Sequence, residues 1–239
     1  MRKEKEKKTG IAPMNILILG RGKTGSLVAE VARERKHQVH SFDINDNPHA
    51  SALTPATLKA FAVAIDFTTP EAALENIAAC ARAGKNIVVG STGWYGELAS
   101  VKRLVKESGI GFLYAGNFSV GVNLFYEVAR TAAAALQHSY SGQIFERHHV
   151  HKVDAPSGTA VVLRSIVKDT SGHELEITSF REGEVVGMHE MVFDSPNDTI
   201  YVCHDAKSRR GFAEGAVRAA EWLVGKTGFF DFKDVWREL

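Results

Sequence analysis

The sequence predicts a two-domain α/β chain. A doubly wound parallel sheet is expected over residues 14–118, an α+β domain with an open mixed sheet over 119–207, and a C-terminal stretch, 208–239, packing back on the first domain. Three observations carry this. From Met14, short apolar runs alternate with stretches of helical period. The first run ends in a glycine-rich turn that opens a helix. Beyond residue 140, strand-like runs follow one another with a single helix among them.

Taken in order, Asn15 to Leu19 reads as a strand buried on both faces, and Gly22 to Arg35 as a helix with Leu27, Val28 and Val31 inward. Gln38 to Phe42 is the second strand, closed by Asp43, and Phe61 to Phe67 is the third. Thr68-Thr69-Pro70 starts a helix that runs through Ala83, with Gly84 as its stop. Asn86 to Val89 and Ile110 to Tyr114 are two more buried strands, separated by a helix around Glu97 to Glu107. Strands joined by helices over short links imply a parallel sheet. A helix then spans about Val120 to Gln137. Strands follow at Gln143 to His149, Leu175 to Phe180, Glu184 to Phe193 and Thr199 to Ala206, with one helix near Thr159 to Asp169. The turn Asp194-Ser195-Pro196-Asn197-Asp198 makes the last two a hairpin. Gly211 to Gly225 is helical again.

Composition narrows the class. The 239 residues are 44% hydrophobic and 24% charged, with a formal net charge of +1, so no global field recruits nucleic acid or a membrane. No run approaches the ~18 apolar residues of a membrane span. Residues 1–13 read as a disordered, charged extension without the apolar region of a signal peptide. Cys80 and Cys203 show no metal or disulfide spacing and read as apolar fillers in a reducing compartment, so the expected setting is cytoplasmic.

The glycine-rich turn is Gly20-Arg21-Gly22-Lys23-Thr24-Gly25. Its first glycine permits the tight turn, the second lets backbone approach a pyrophosphate, and the third allows close packing of helix on strand. Anionic phosphates are then held by free N–H groups at the helix N-terminus. Asp43, 23 residues past Gly20, stands where an acidic side chain accepts hydrogen bonds from an adenosine ribose. The turn and Asp43 together point to a Rossmann-like dinucleotide domain. Since Ile44 follows Asp43, no cation there offsets a 2′-phosphate, and NADH is expected to be favoured over NADPH. Gly90-Ser91-Thr92-Gly93 and Gly116-Asn117-Phe118-Ser119 follow the fourth and fifth strands, at the ends where ligands bind in such sheets. Their small residues and hydroxyls are candidates for the nicotinamide side of the cofactor.

The stretch Glu146-Arg147-His148-His149-Val150-His151-Lys152-Val153-Asp154-Ala155-Pro156-Ser157-Gly158-Thr159-Ala160 places three histidines and a lysine within five positions. On a strand, His149 and His151 share one face and His148 the other. Histidine and lysine together bind a dianion and exchange protons near neutral pH. Ser157-Gly158-Thr159 offers N–H and hydroxyl donors to a carboxylate ahead of a helix. Clustered histidines also bind zinc, but no HExxH or cysteine pair accompanies them and Lys152 repels a cation, so no metal is expected.

This segment resembles the signature of the dihydrodipicolinate reductase family. Gly20 to Gly25, Ile65-Asp66-Phe67-Thr68, Gly90 to Gly93, Asn117-Phe118-Ser119-Val120-Gly121-Val122-Asn123, Gly215-Ala216-Val217-Arg218 and Trp222-Leu223 extend the resemblance over about residues 14–239. It implies reduction of a small cyclic dicarboxylate by NADH or NADPH. It also implies His148 as proton donor/acceptor and Lys152 as proton donor. His149 would contact substrate, Gly158 with Thr159 would hold a substrate carboxylate, and residues 90–92 and 116–119 would lie beside the nicotinamide. A homotetramer built through the open sheet is implied as well, although the segment Phe180 to Ala206 is shorter than in many members. The rival readings are another Rossmann-type dehydrogenase of a small dicarboxylate and a nucleotide sensor without catalysis. A sensor would be expected to lose His148, Lys152 and Ser157-Gly158-Thr159, all of which are present.

Overall fold

The computed structural model describes residues 12–239. The expected disordered extension falls almost wholly on residues 1–11, outside the described residues. In chain order the elements are β1 (Asn15–Leu19), α1 (Lys23–Glu34), β2 (Gln38–Phe42), α2 (Pro55–Leu58), β3 (Val63–Asp66), α3 (Pro70–Arg82), β4 (Ile87–Val89), α4 (Leu98–Ser108), β5 (Gly111–Tyr114), α5 (Val120–Ala132), β6 (Ser141–His148), α6 (Gly158–Ser171), β7 (Ile177–Arg181), β8 (Met188–Asp194), β9 (Thr199–Asp205), α7 (Arg210–Leu223), β10 (Gly228–Asp231) and α8 (Phe232–Val235).

The chain divides into two compact units. One runs up to Gly116 and takes in Ala216–Leu239; the other is Asn117–Gly215, so the division falls within α7. In the first unit a six-stranded sheet has the order β10-β5-β4-β3-β1-β2, every pair parallel. Ile16, Leu17, Ile18 and Leu19 of β1 are all buried, as a continuous apolar run in a sheet covered on both faces requires. Each such side chain contributes about 1.5–3 kcal/mol over its exposed state.

The short helices α2 and α8 lie outside the sequence expectation, β8 starts at Met188 rather than Glu184, and two larger features also differ from that expectation. The sheet gains a sixth strand, β10, beside β5, with Phe229 stacked on Phe112 at 5.0 Å. Its Gly-Phe-Phe-Asp is too short to carry a period of two, and pairing with β5 makes it a strand. The expected helix from Val120 to Gln137 is α-helical only to Ala132 and tightens into a 3-10 turn over Ala133–His138, ending at Ser139 in the left-handed region.

Glu221 of α7 pins this helix to the end of α1. Its carboxylate takes two hydrogen bonds from Arg35, at 2.7 and 2.6 Å, and lies 2.8 Å from His37 Nε2. Burial pushes the Glu221 carboxyl up, but Arg35 and His37 outweigh it and hold it below the ordinary range. A Glu221→Ala variant leaves Arg35 and the buried His37 without their acceptor, and urea denaturation at neutral pH is expected to show a loss of about 1–3 kcal/mol. Because the folded carboxyl is lowered, this stabilisation is complete above the ordinary carboxylate range and is lost as pH falls through the folded value. The gap between native protein and variant therefore closes in acid.

In the second unit, the order β7-β6-β8-β9 makes a mixed sheet: β6 and β7 are parallel, and β6–β8 and β8–β9 antiparallel. Alternation sends Ile144, Met191 and Phe193 inward onto Phe125 and Ala129 of α5 and Leu163 and Val167 of α6. Among the described residues no helix is long and apolar enough to cross a membrane.

Candidate functional site

In the first unit, the turn after β1 holds the predicted dinucleotide residues in one place. Gly20 has φ +99°, and a Cβ there would lie 2.3 Å from the Phe67 carbonyl oxygen, so only glycine fits. At Gly25 a Cβ would lie 2.1 Å from the Gly20 carbonyl oxygen, which is how closely α1 packs on the turn. Helix α1 has no side-chain cap, whereas α3, α5 and α6 are capped by Thr69, Ser119 and Ser157. Gly22 and Lys23 are exposed at this end, so its first N–H groups are left without a side-chain acceptor. Thr24 is half-buried on the first turn of the helix.

Asp43 lies directly beyond β2, and its neighbour is one that the sequence reading overlooked. Arg21 reaches it at 3.2 Å, Asp46 at 2.8 Å and the Ser41 carbonyl at 2.5 Å. The Asn45 N–H first, then the Asp46 N–H and Arg21, hold the Asp43 carboxyl below the usual range. The expectation that no cation stands near Asp43 is therefore corrected: the chain folds Arg21 back from the glycine turn. An open cavity of about 430 Å³ adjoins this pair, lined by Gly20, Arg21, Gly25, Arg33, His40 and Ser41 among others.

The loop after β4 is organised by Asp66, fully buried at the end of β3. Ser91 Oγ donates to Asp66 at 2.5 Å, Thr68 Oγ at 2.8 Å and Asn76 Nδ2 at 2.7 Å. Burial pushes the Asp66 carboxyl up against these bonds. The Ser91 hydroxyl thus faces inward, leaving the half-buried backbone of Gly90 and the exposed Thr92 as the accessible parts of that loop. After β5, Gly116 is exposed, while Phe118 is buried and the Ser119 hydroxyl caps α5 through the Val122 N–H at 3.2 Å. Asn117 accepts from the Ser119 N–H at 2.9 Å. Of the side chains expected beside a cofactor, Ser91, Phe118 and Ser119 are therefore committed to a buried carboxylate, packing and capping.

In the second unit, β6 ends at His148, so the strand alternation expected for His149 and His151 does not hold. The chain turns instead, with the Lys152 N–H donating to the His149 carbonyl at 3.1 Å. His148 is buried on the inner face beside Glu146, two residues back. Register brings in the rest: Glu146 stands opposite His189 of β8, and His148 opposite Arg181 of β7. Glu146 makes a short contact with His148 Nδ1 and accepts from Arg181 Nη2 at 2.9 Å and the Ser157 N–H at 3.3 Å. Burial raises the Glu146 carboxyl, yet Arg181, Ser179 and His148 bring it down to about 2. Burial lowers the His148 imidazole, opposed by Glu146. His189 is brought to about 4 by burial and then by the His148 charge.

Lys152 is clamped by Asp154, with Nζ at 2.8 and 2.9 Å from the two oxygens. His149 Nε2 accepts from Arg209 Nη2 at 3.2 Å. The Ser157 hydroxyl caps α6 and meets His189 Nε2 at 2.9 Å, and its N–H is taken by Glu146. Of the predicted carboxylate loop, then, Ser157 is spent inward, while Gly158 is exposed and Thr159 half-buried at the start of α6. Glu146, His148 and His189 offer donor atoms within 4.8 Å of one another, the spacing of a metal cluster. Glu146 is engaged by His148 and Arg181 and His189 Nε2 by Ser157, while His189 Nδ1 is buried without a partner among the described residues, and Lys152 adds positive charge beside the group. Sequence reasoning missed Glu146, Asp154, Arg181, His189 and Arg209. Glu146 and Asp154 had a local signal, their i, i+2 spacing from His148 and Lys152.

Comparisons agree with one another. The family models of the N-terminus and C-terminus of dihydrodipicolinate reductase match residues 14–118 and 121–236. The chain is 38% identical over 240 residues to the 4-hydroxy-tetrahydrodipicolinate reductase of Christiangramia forsetii, covering 95% of this chain and 99% of that protein. It is 40% identical over 193 residues to the same-named protein of Laribacter hongkongensis, covering 72% of this chain and 71% of that one. The dipicolinate-bound dihydrodipicolinate reductase of Paenisporosarcina sp. TG-14 shares the fold, with a TM-score of 0.76 at 21% identity over 94% of this chain and 100% of that one.

Proposed function

The chain belongs to the dihydrodipicolinate reductase family, and from that premise we propose that it reduces 4-hydroxy-tetrahydrodipicolinate to tetrahydrodipicolinate with hydride from NAD(P)H, in diaminopimelate and lysine synthesis. The observation that supports this most directly is the His148 cluster, a proton-handling group set between the start of α6 and the loop that bears Lys152.

In this reading the uncapped start of α1 and the turn Gly20 to Gly25 receive the pyrophosphate, and Asp43 receives the adenosine ribose. Gly90, Ser91, Thr92 and Gly116 of the first unit are the nicotinamide candidates there, and Asn117, Phe118 and Ser119 are those of the second. His149, Gly158 and Thr159 orient the substrate carboxylates, with Ser157 holding the start of α6 in place. Lys152 provides positive charge and the proton that completes the reduction with the hydride, and His148 takes the ring proton and returns it to the 4-hydroxyl as that group leaves as water. The outer face of the mixed sheet, where Phe180 and Tyr201 are exposed, is the surface that would build a homotetramer. A cytoplasmic setting follows from the same assignment.

The test is oxidation of NADH and of NADPH while substrate is generated in situ from pyruvate and aspartate semialdehyde. Substrate-dependent turnover is expected; a folded protein that binds NADH yet never turns over would leave another dehydrogenase or a sensor as the better reading. The same assay ranks the cofactors. Asp43 disfavours a 2′-phosphate and Arg21 partly offsets it, so KM is expected to be lower for NADH, with a gap that narrows in Asp43→Asn. A lower KM for NADPH in the native protein would refute the preference.

A further inference from the structure

We propose that Glu146 and Arg181 are a positioning pair for the proton chemistry of this site: Glu146 fixes the tautomer and orientation of His148, and Arg181 fixes both Glu146 and the loop that carries Lys152. The inference deepens the reductase reading and rests on it for the roles of His148 and Lys152.

The Glu146 side chain is inaccessible to solvent, so each of its oxygens must be satisfied within the protein. One oxygen faces His148 Nδ1; the other takes the Arg181 guanidinium and the Ser157 N–H at the start of α6. A cation and a helix N-terminus both favour the carboxylate anion. An ionised carboxylate only accepts hydrogen bonds, so His148 must carry a proton on Nδ1 whether the ring is neutral or cationic. The exchangeable proton is then left to Nε2. Gly187 lies beside that nitrogen, where a Cβ would stand only 3.0 Å away, so the absence of a side chain keeps Nε2 uncrowded.

Arg181 does more than neutralise Glu146. Its Nη2 also donates to the Asp154 carbonyl at 2.7 Å, its Nε to the Lys152 carbonyl at 3.3 Å, and its Nη1 to the Phe180 carbonyl at 2.6 Å. One guanidinium thus ties the end of β7 to the backbone at both Lys152 and its clamp Asp154. The charges acting on His148 come from every side: Glu146 on β6 favours its cation, while Lys152 and Arg181 oppose it. His189 on β8 lies edge-on at 5.1 Å, with His204 of β9 behind it, and Asp154 offsets Lys152. Glu146 is the anion that supports protonation of His148 against burial.

The experiment combines histidine-resolved NMR titration with steady-state pH profiles, on the native protein and on Glu146→Gln and Arg181→Lys. In the native protein His148 is expected as the Nδ1–H tautomer above its titration. In Glu146→Gln its midpoint and the matching limb of the kcat profile should both move to lower pH, with kcat down on the order of 10²-fold and the KM for NADH unchanged. Arg181→Lys, which retains the charge but loses the fork of donors, should lower kcat without moving that limb as far. An Nε2–H tautomer in the native protein overturns the proposal even if Glu146→Gln fails to fold, and so does an unmoved His148 midpoint in a folded Glu146→Gln. The NMR arm needs no substrate. A protein with the expected tautomer and shift but without turnover would sink the reductase reading and leave the pairing standing.

Discussion

Lys152→Ala is expected to bind NADH as the native protein does and to turn over on the order of 10²–10⁴-fold more slowly. The ammonium carries a transferable proton and lies partly open, with its side chain 22% exposed. Removing it does two things. The proton donor is lost from the reducing step, which lowers kcat. The Asp154 carboxylate, now without its clamp, repels a dianionic substrate, which raises KM. The two effects separate in Lys152→Ala/Asp154→Ala, where the KM should recover in part and the kcat should not. Turnover within a few-fold of native in Lys152→Ala would remove this residue from the chemistry.

The second large effect is expected at Gly25. In Gly25→Ala the new methyl meets the Gly20 carbonyl oxygen at 2.1 Å, and a backbone atom cannot swing aside as a side-chain tip does. Overpacking of this kind costs about 1–3 kcal/mol. Relief requires α1 to back away from the turn, carrying off the N–H groups proposed to receive the pyrophosphate. The dissociation constant for NADH is expected to rise about 5- to 150-fold, the same energy expressed as affinity, with a fall in melting temperature. Gly22→Ala is the informative partner, because nothing lies within 4 Å of its added Cβ. There the melting temperature should hold while NADH binding weakens, since the methyl occupies the approach of the phosphates. Calorimetric titration and thermal melts of the two variants test this together; undiminished affinity in both would refute the dinucleotide role of the turn.

Much of the site was legible because its signals are local. A glycine turn that directly follows a buried strand and opens a helix states its own geometry, and the His148–Thr159 segment states its chemistry by residue type. The parts that were not legible depend on register. Arg181 is 33 residues from His148 in number (181 against 148) and becomes its neighbour only because β7 pairs in parallel with β6. His189 joins Glu146 only through the antiparallel pairing of β8. Arg21 belongs to the expected cofactor turn, but its fold back onto Asp43 is a side-chain choice that spacing does not encode. Ser157 and Ser91 were read as outward donors because their loops precede or follow regular elements. Burial turned both inward, since a hydroxyl beside a buried carboxylate or imidazole is worth more there than in water.

By itself, the sequence determined most of the strands and helices of both units, the glycine turn, the segment that carries His148 and Lys152, and the family. Each is written in periodicity or in contiguous residues. Only the tertiary structure decided that Gly228–Asp231 extends the parallel sheet, that α7 is pinned through Glu221, and that a carboxylate, a guanidinium and a second imidazole gather around His148. These rest on contacts between distant segments, and a distant contact forms because packing and strand register bring its partners together, which no local pattern records.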